Sequence, residues 1–235
     1  MRVAALYDIH GNAPALKAVL RELETVAPDT ILIGGDVAAG PLPRETIDLL
    51  RSLGSRARFV RGNGDREPFD PWLEAQLAPG DRRLLAGFEE RVVLEVDELG
   101  PTLFCHGSPR SDEEIITRAT SDERLRRILA DVAEPVVVCG HTHVQFDRVA
   151  GGTRVVNAGS VGMPYEPAPG AYWALLGPGV DLRRTGYDLQ QAAERIRATA
   201  WPAAGEFVDD NVLRVPSAEE ATELFERMAL EREAG

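Results

Sequence analysis

The sequence predicts an α/β protein in which two mixed β-sheets pack face to face, with helices on both outer faces and a helical tail. In the first half of the 235 residues, short apolar runs alternate with amphipathic stretches of helical spacing, which is typical of parallel β-α-β units. In the second half, pairs of apolar runs are separated by turn residues, which is typical of hairpins. We expect a four-layer domain over residues 1–185 and a helical extension over residues 186–235, packed on that domain or on a partner subunit.

The first half of the chain predicts three strands separated by helices. Asn12 should cap the first helix, and Pro43 should begin the second, because proline is tolerated in a first helical turn. Residues 70–88 are expected to be helical in two pieces. The predicted strands are Val3–Tyr7, Thr30–Ile33 and Ala57–Val60.

The second half predicts hairpins, one long helix and two tail helices. Turns at Asp97-Glu98-Leu99-Gly100, Gly151-Gly152 and Gly177-Pro178-Gly179 each separate two strands. Ser111–Asp131 is predicted to be helical, and Pro135–Cys139 to be a buried strand. The tail should hold helices near 188–199 and 217–232, the second with an apolar stripe of Ala221, Leu224, Phe225 and Met228 that needs a surface to cover it.

Composition excludes several classes of protein. A net charge of −12 argues against duplex nucleic acid and anionic membranes as partners, because both attract clustered Lys and Arg. The longest apolar runs are too short to cross a bilayer, and no signal-peptide pattern precedes the first strand, so we expect a cytoplasmic protein. Cys105 and Cys139 end apolar runs and are expected to be buried and free.

Polar loops follow five of the predicted strands. Each loop alone is ordinary turn chemistry, but together they hold all four histidines of the chain. Because ligands bind beyond the carboxyl ends of strands in α/β sheets, we expect one site there. Mixed oxygen and nitrogen ligands suit Mn, Fe, Co, Ni or Zn. The loops are Asp8-Ile9-His10, Gly34-Gly35-Asp36, Gly62-Asn63-Gly64-Asp65, His106-Gly107-Ser108 and Gly140-His141-Thr142-His143.

In this order the loops resemble the signature of the calcineurin-like metallophosphoesterase superfamily, which reads D-x-H, G-D, G-N, a lone His and G-H-x-H. The opening Asp-Ile-His-Gly-Asn and the segment Asn157-Ala158-Gly159-Ser160-Val161 look like its small bacterial phosphodiesterase branch. The resemblance covers about residues 1–185 and implies that these residues are the metallophosphoesterase domain.

The resemblance implies a dinuclear centre of divalent ions, with Mn²⁺ expected and Fe, Ni, Co or Zn as alternatives. A metal-bridging hydroxide would attack phosphorus in line. One ion would be held by Asp8, His10 and His143, and the other by Asn63, His106 and His141, with Asp36 bridging the two.

The chain departs from the family pattern at Gly64, where many members carry a histidine that is thought to protonate the leaving group or to help bind phosphate. No histidine remains to replace it. Asp65 is a candidate for assisting the leaving group, and its alternative role is that of a hydrogen-bond acceptor or turn residue.

Substrate contacts are predicted for Asn63, Arg66 and Arg110, because guanidinium groups bind phosphate through two parallel hydrogen bonds. For Arg61, a solvated loop position is the preferred interpretation. Tyr7, Tyr165 and Trp173 could stack on a nucleobase, although single aromatic residues more often belong to a core.

The resemblance predicts a phosphodiesterase that acts on a small organic phosphate or nucleotide. A phosphomonoesterase and a dinucleoside-polyphosphate hydrolase are the alternatives among enzymes. A non-catalytic metal-binding interaction module on the same scaffold is the alternative of another class. The sequence leaves a homo-oligomer open.

Overall fold

The computed structural model describes residues 1–234, and within them ten strands form two five-stranded sheets. The strands are β1 (Val3–Leu6), β2 (Thr30–Ile33), β3 (Ala57–Phe59), β4 (Arg91–Val96), β5 (Gly100–Cys105), β6 (Val136–Cys139), β7 (Phe146–Ala150), β8 (Thr153–Asn157), β9 (Ala171–Leu176) and β10 (Val180–Thr185). The helices are α1 (Ala13–Val26), α2 (Pro43–Ser52), α3 (Pro71–Gln76), α4 (Pro79–Ala86), α5 (Asp122–Ile128), α6 (Leu189–Arg197), α7 (Ala204–Phe207) and α8 (Ala218–Ala234).

Both sheets are mixed. In the first, with the order β10-β9-β1-β2-β3, the strands β1, β2 and β3 are parallel, and the β9–β10 hairpin adds antiparallel beside β1. In the second, with the order β4-β5-β6-β8-β7, the strands β5, β6 and β8 are parallel, and the two edge strands are antiparallel. The three hairpins and the parallel units predicted from the sequence are confirmed.

Alternation along the strands divides the apolar core into layers. On β1, Ala4 and Leu6 pack under helices α1 and α2, whereas Val3, Ala5 and the following residue Tyr7 point to the second sheet. The far face of the second sheet packs against α5. The order helix, sheet, sheet, helix confirms the predicted fold class.

Local signals for helix ends and turns are confirmed at several positions. The Asn12 side chain accepts the Ala15 N–H at 3.2 Å and so caps α1, and α2 begins at Pro43. Residues 70–88 form two helices, α3 and α4, as predicted. Cys105 and Cys139 are buried and free, and burial raises the pKa of Cys139 to about 12.

The prediction of one helix over Ser111–Asp131 is wrong for residues 111–121 and for residues 129–131, because the helix observed there is Asp122–Ile128. In the segment 111–121 side chains satisfy the backbone donors that a helix would use: Ser108 Oγ accepts the Ser111 N–H at 3.1 Å, and Thr120 Oγ1 accepts the Thr117 N–H at 2.9 Å. The helix α5 starts only after Ser121, whose Oγ accepts the Arg124 N–H at 3.2 Å.

The tail packs on the domain of its own chain. Ile196, Phe207 and Val208, from α6, α7 and the π-helical turn Val208–Val212, form a cluster that includes Leu42 and Met163 of the domain. The sequence did not predict α7 or the turn. No helix within residues 1–234 combines the length and hydrophobicity that a bilayer crossing requires.

The apolar stripe predicted for α8 is wrong at Leu224, which is 45% exposed. The helix instead buries Ala218, Ala221 and Ala229, and Phe225 packs beside Val144 and Tyr165. The buried face of α8 therefore runs through its alanines and leaves Leu224 exposed.

Candidate metal centre

The five polar loops meet at one edge of the sandwich, because the carboxyl ends of the parallel strands in both sheets lie there. Asp8, His10 and His143 bring ligand atoms within 4.8 Å of one another, and so do Asp8, Asp36 and His106. Asn63 Oδ1 lies 3.2 Å from His106 Nε2. The His141 ring centre lies 5.2 Å from that of His106. The structure therefore gathers all seven predicted ligands.

Two carboxylates stand between the imidazoles. Asp8 Oδ1 lies 3.3 Å from Nε2 of His143 and 3.8 Å from Nε2 of both His10 and His106. Asp36 Oδ2 lies 3.6 Å from Nε2 of His106 and 3.9 Å from Nε2 of His10. Each carboxylate thus lies near a predicted ligand of each ion, His10 for one and His106 for the other. Asp8 therefore shares the central position that was predicted for Asp36 alone.

Five of the seven predicted ligands have left-handed backbones, with φ of 53° at Asp8, 47° at His10, 51° at Asp36, 65° at His141 and 58° at His143. Among the other non-glycine residues in 1–234, only Ala27 and Glu98 share this conformation. Each such residue costs about 1–3 kcal/mol and persists only where its surroundings fix it, typically at functional sites. The strain is therefore concentrated where the sequence predicts chemistry.

Backbone carbonyls orient two of the imidazoles. Nδ1 of His106 lies 2.8 Å from the Gly34 carbonyl oxygen, and Nδ1 of His143 lies 2.7 Å from that of Met163. Donation from Nδ1 leaves the Nε2 lone pair free to bind a cation. His10 Nε2 and His143 Nε2 are only 3.2 Å apart, which suits two nitrogens that share one ion.

A second, independent observation also indicates that these residues suit a metal ion. Asp8 is fully buried, and its Oδ1 receives no hydrogen bond from the residues described. A buried carboxylate oxygen without a partner is costly, and a divalent cation would remove that cost.

The protonation states of Asp8, His10 and His141 also suit metal binding, whereas at His106 burial is outweighed by the carboxylates of Asp36 and Asp8, which raise the pKa above its ordinary value. Burial raises the pKa of Asp8, but the imidazoles of His143 and His106 outweigh burial and hold it below its ordinary value. Burial and the neighbouring His106 lower the pKa of His141 to about 4, and burial and His143 lower that of His10. Asp8 is therefore ionised and these imidazoles are neutral at pH 7, which are the forms that bind metals.

Asp65 connects two of the loops through their backbones. Its carboxylate accepts the N–H groups of Asp36 at 2.8 Å, Val37 at 3.0 Å and Gly62 at 3.0 Å. Burial and the nearby Asp36 raise its pKa to about 7. This placement favours the role of hydrogen-bond acceptor over that of a proton donor to a leaving group.

Gly64 lies beside the centre in a backbone conformation that other residues can adopt, since its φ is not positive. Its N–H donates to Asp36 Oδ1 at 2.7 Å. A Cβ at this position would lie 3.1 Å from the same oxygen, so a side chain here requires only a small movement of the Asp36 carboxylate.

Sequence reasoning missed the positioning roles of Asn157 and Ser160. Asn157 Nδ2 donates to the Gly140 carbonyl at 2.7 Å, and Ser160 Oγ donates to the Asp8 carbonyl at 2.7 Å. Both side chains are fully buried. The available signal was their position at the carboxyl end of β8, which reaches the same edge as the ligand loops.

The predicted substrate contacts lie on one side of the centre. Arg66 and Arg110 line a cavity of about 400 Å³ that also reaches His106. Arg66 pairs with Asp112 at 2.9 Å and with Glu113 at 2.7 Å, and Arg110 pairs with Glu114.

Aromatic residues lie on the other side. Tyr165 stacks on His143 with ring centres 4.9 Å apart, and Phe225 of α8 lies 6.4 Å from His141 and 6.2 Å from Tyr165. Tyr7 and Trp173 are fully buried core residues, which agrees with the alternative interpretation made for them. The extension thus reaches the centre through Phe225.

A sandwich of this topology, with carboxylates and imidazoles gathered at one sheet edge, defines a metallohydrolase-like class of protein. Residues 1–176 match the calcineurin-like phosphoesterase superfamily domain, and the chain belongs to that superfamily. The resemblance seen in the sequence is therefore confirmed.

Curated relatives carry one activity in their names. The chain is 27% identical over 143 residues to the symmetrical bis(5'-nucleosyl)-tetraphosphatase of Pectobacterium atrosepticum, and this match covers 55% of the chain and 51% of the relative. The enzyme of the same name from Cronobacter sakazakii is 28% identical over 143 residues, with 55% and 50% covered. The chain spans about half the length of these relatives.

Solved structures match over most of the chain. A metallophosphoesterase from Sphaerobacter thermophilus is 26% identical with a TM-score of 0.71, covering 88% of this chain and 97% of its own. A hypothetical protein from Pyrococcus horikoshii OT3 has a TM-score of 0.77 at 20% identity, covering 91% and 99%. The second match shows the fold alone.

Proposed function

We propose that the protein is a dimetal phosphodiesterase that hydrolyses a small organic phosphate or nucleotide. The observation that carries this proposal is the convergence of the seven predicted ligand residues at one sheet edge, where Asp8 Oδ1 is buried without a hydrogen-bond donor beside the imidazoles of His10, His106 and His143. Asp8, His10 and His143 would hold one ion and Asn63, His106 and His141 the other, with Asp36 between them. Mixed oxygen and nitrogen ligands suit Mn, Fe, Co, Ni and Zn, and of these Mn²⁺ is the proposed ion.

When bound, the two ions would supply an activated water and neutralise charge on the phosphoryl oxygens. The chain's own groups hold the substrate. Asn63 turns its Oδ1 to His106, which leaves its amide N–H groups free to donate to a phosphoryl oxygen. Arg66 and Arg110, in the adjoining cavity, supply further donors to phosphate.

The leaving oxygen has no side-chain acid beside it in this proposal. Gly64 has no side chain that could donate a proton, and the Asp65 carboxylate accepts hydrogen bonds from three backbone N–H groups. The enzyme should therefore favour esters whose alcohol departs as an anion, and aryl diesters are the simplest of these.

A second candidate is the hydrolysis of dinucleoside polyphosphates. The names of the curated relatives favour it, although the chain spans only about half of their length. The two candidates share the same centre and differ in how many phosphates the substrate brings.

The test is turnover of bis-p-nitrophenyl phosphate by protein loaded with Mn²⁺, followed by release of p-nitrophenolate, with p-nitrophenyl phosphate as the matched monoester. We expect two ions per chain by elemental analysis and faster cleavage of the diester. One ion or none in folded, metal-saturated protein would contradict the dinuclear centre. Two ions without turnover of either ester would instead favour the non-catalytic metal-binding module.

A further inference from the structure

A buried threonine, Thr142, stands between the two histidines of the loop after β6. Both of its neighbours have left-handed backbones, with φ of 65° at His141 and 58° at His143. Such conformations are disfavoured for residues other than glycine and persist only where the surroundings hold them. The loop therefore needs contacts that fix it at or near Thr142.

The hydroxyl of Thr142 makes such contacts in two directions. It accepts a hydrogen bond from Asn157 Nδ2 at 3.0 Å and donates one to the Ile116 carbonyl at 3.2 Å. Asn157 belongs to β8 and is fixed by the sheet. Ile116 lies in the segment 111–121, which is neither helix nor strand. One of the two partners of Thr142 therefore depends on whatever holds that segment.

The C-terminal helix α8 holds the segment through Glu226. Its Oε1 accepts the hydroxyl of Thr117 at 2.5 Å and that of Thr120 at 2.6 Å. Both threonines are buried. Hydrogen bonds to a charged acceptor are stronger than those between neutral groups, and a buried hydroxyl that loses its partner is destabilising. Glu226 thus fixes Thr117, the residue that follows Ile116.

Arg124 connects the same carboxylate to the other side of Ile116. Its Nη2 donates to the Ile115 carbonyl at 2.9 Å, and its Nη1 lies 3.7 Å from Glu226 Oε2. The Arg124 side chain is buried, and that of Glu226 is 21% exposed, so water and salt screen this pair less than a surface pair. The residues before and after Ile116 are therefore both held by a network that includes Glu226.

We propose that Thr142 and Glu226 are positioning residues of the metal centre. Glu226 fixes the Ile116 carbonyl, this carbonyl holds the Thr142 hydroxyl, and Thr142 keeps His141 and His143 in the directions that bind the ions. The inference rests on the proposed function and deepens it. Because α8 lies outside residues 1–176, the part that matches the superfamily domain, the extension raises the affinity for metal without supplying a ligand.

The first test measures the dissociation constant for Zn²⁺ in folded, chelator-treated protein, so it does not depend on turnover. Thr142→Val removes the hydroxyl and keeps the branched shape, whereas Thr142→Ser keeps the hydroxyl. We expect the constant to rise about tenfold in the valine variant, the lower end for groups that orient metal ligands, and to stay near the wild-type value in the serine variant. The visible spectrum of bound Co²⁺ should change in the valine variant alone. Equal constants for wild type and Thr142→Val, or an equal rise in both variants, would overturn the inference.

The second test concerns the helix. Glu226→Leu removes the acceptor of both hydroxyls, whereas Glu226→Gln keeps an oxygen that can accept them. We expect the constant for Zn²⁺ to rise about 2–30-fold in the leucine variant, the range found for residues that act through a network, and to rise less in the glutamine variant. Two controls should leave it unchanged: Glu219→Leu, which removes an exposed α8 carboxylate paired with Arg118 of the same segment at 3.0 Å, and Phe225→Ala. An equal rise in either control would overturn the inference.

The double variant Thr142→Val/Glu226→Leu tests whether the two residues act through the same contact. If they do, it should bind Zn²⁺ no more weakly than Thr142→Val alone, because the contact that Glu226 supports is already lost. A rise equal to the product of the two single effects would show that the residues act separately and would overturn the inference. Wild-type protein that binds fewer than two ions would instead overturn the proposed function.

Discussion

The two sides of the metal centre differ in chemistry and in origin. On the His106 side, an open cavity is lined by four arginines that come from the loops and strand ends of the two sheets. On the His141–His143 side, Tyr165 and Phe225 form an aromatic wall, and Phe225 belongs to the C-terminal helix.

Because of this difference, we expect the two sides to bind different parts of the substrate. Every residue of the arginine cavity lies inside residues 1–176, the part of the chain that matches the superfamily domain, whereas α8 lies outside it. We expect the phosphates to be recognised by the domain itself and an aryl or base group by the wall that the extension completes.

The largest expected effect concerns Asp36, which lies between the two sides. Asp36→Asn keeps the shape of the side chain but removes a charge close to both His10 and His106. We expect the protein to bind both ions more weakly and kcat/KM to fall at least about 10³-fold, which corresponds to roughly 4 kcal/mol. Elemental analysis should show a larger loss of metal than for His141→Ala.

Asp48→Asn is the matched control, since that side chain is 76% exposed on α2. If the Asp36→Asn protein keeps two ions per chain, Asp36 does not hold the two ions together, and the prediction is contradicted.

The next effect concerns the leaving group and Gly64, which lies against Asp36. Without a histidine at position 64, the chemical step should slow steeply as the pKa of the leaving alcohol rises. Gly64→His should speed the cleavage of alkyl diesters by about 10²-fold, the lower end of what general acid catalysis supplies. Rates for a series of esters, measured under single turnover, give the slope.

Gly64→Ala is the control, because it places the same Cβ 3.1 Å from Asp36 Oδ1 without an imidazole. A flat dependence on leaving-group pKa in wild-type protein would show that another acid is present.

A smaller effect is expected on the aromatic side. Phe225→Ala removes a ring from the wall, and a stacking contact contributes about 0.5–1.5 kcal/mol, so KM for aryl esters should rise about 2–10-fold. Metal content should not change. Leu224→Ala alters the neighbouring, 45% exposed residue of the same helix, and an equal rise in KM for that variant would contradict an aromatic role.

The smallest effect measures how far water is excluded from the aromatic side of the centre. Burial raises the pKa of Glu166, next to Tyr165, from 4.5 to about 7. Between these values the folded protein keeps a proton that the unfolded chain has lost, so the free energy of unfolding decreases as pH rises through this range. Glu166→Gln removes the penalty and keeps an acceptor for the Gln145 N–H.

The melting temperature of Glu166→Gln protein should exceed that of wild type by a few degrees at pH 8, at roughly 2–4 °C per kcal/mol, and by less at pH 5. The exposed substitution Glu223→Gln should show no such trend. A difference that is the same at both pH values would mean that Glu166 is well hydrated.

Residues with specific chemistry made the fold and the centre predictable. The local sequence was sufficient to predict the glycine turns and the ligand loops. Asp-x-His and Gly-His-x-His act through their own side chains, and the glycine turns through their own backbone. The helix expected at 111–121 failed because Ser108 and Thr120 accept backbone N–H groups there, and this competition is invisible in an apolar pattern.

Other features depend on strand pairing over long distances. Arg91 reaches the cavity only because β4 pairs with β5. Asn157 reaches Gly140 only because β8 lies beside β6. Leu224 is exposed because the buried face of α8 runs through Ala218, Ala221 and Ala229 instead. Local sequence holds none of this information.

The gathering of all four histidines at the centre has a spectroscopic consequence. Isotope labelling restricted to histidine would give four imidazole signals, and every one would come from the metal centre. No surface histidine would overlap them or titrate in the background. NMR spectra recorded during a titration with Zn²⁺, which is diamagnetic and does not broaden the signals of its ligands as Mn²⁺ does, would follow the filling of each ion position separately.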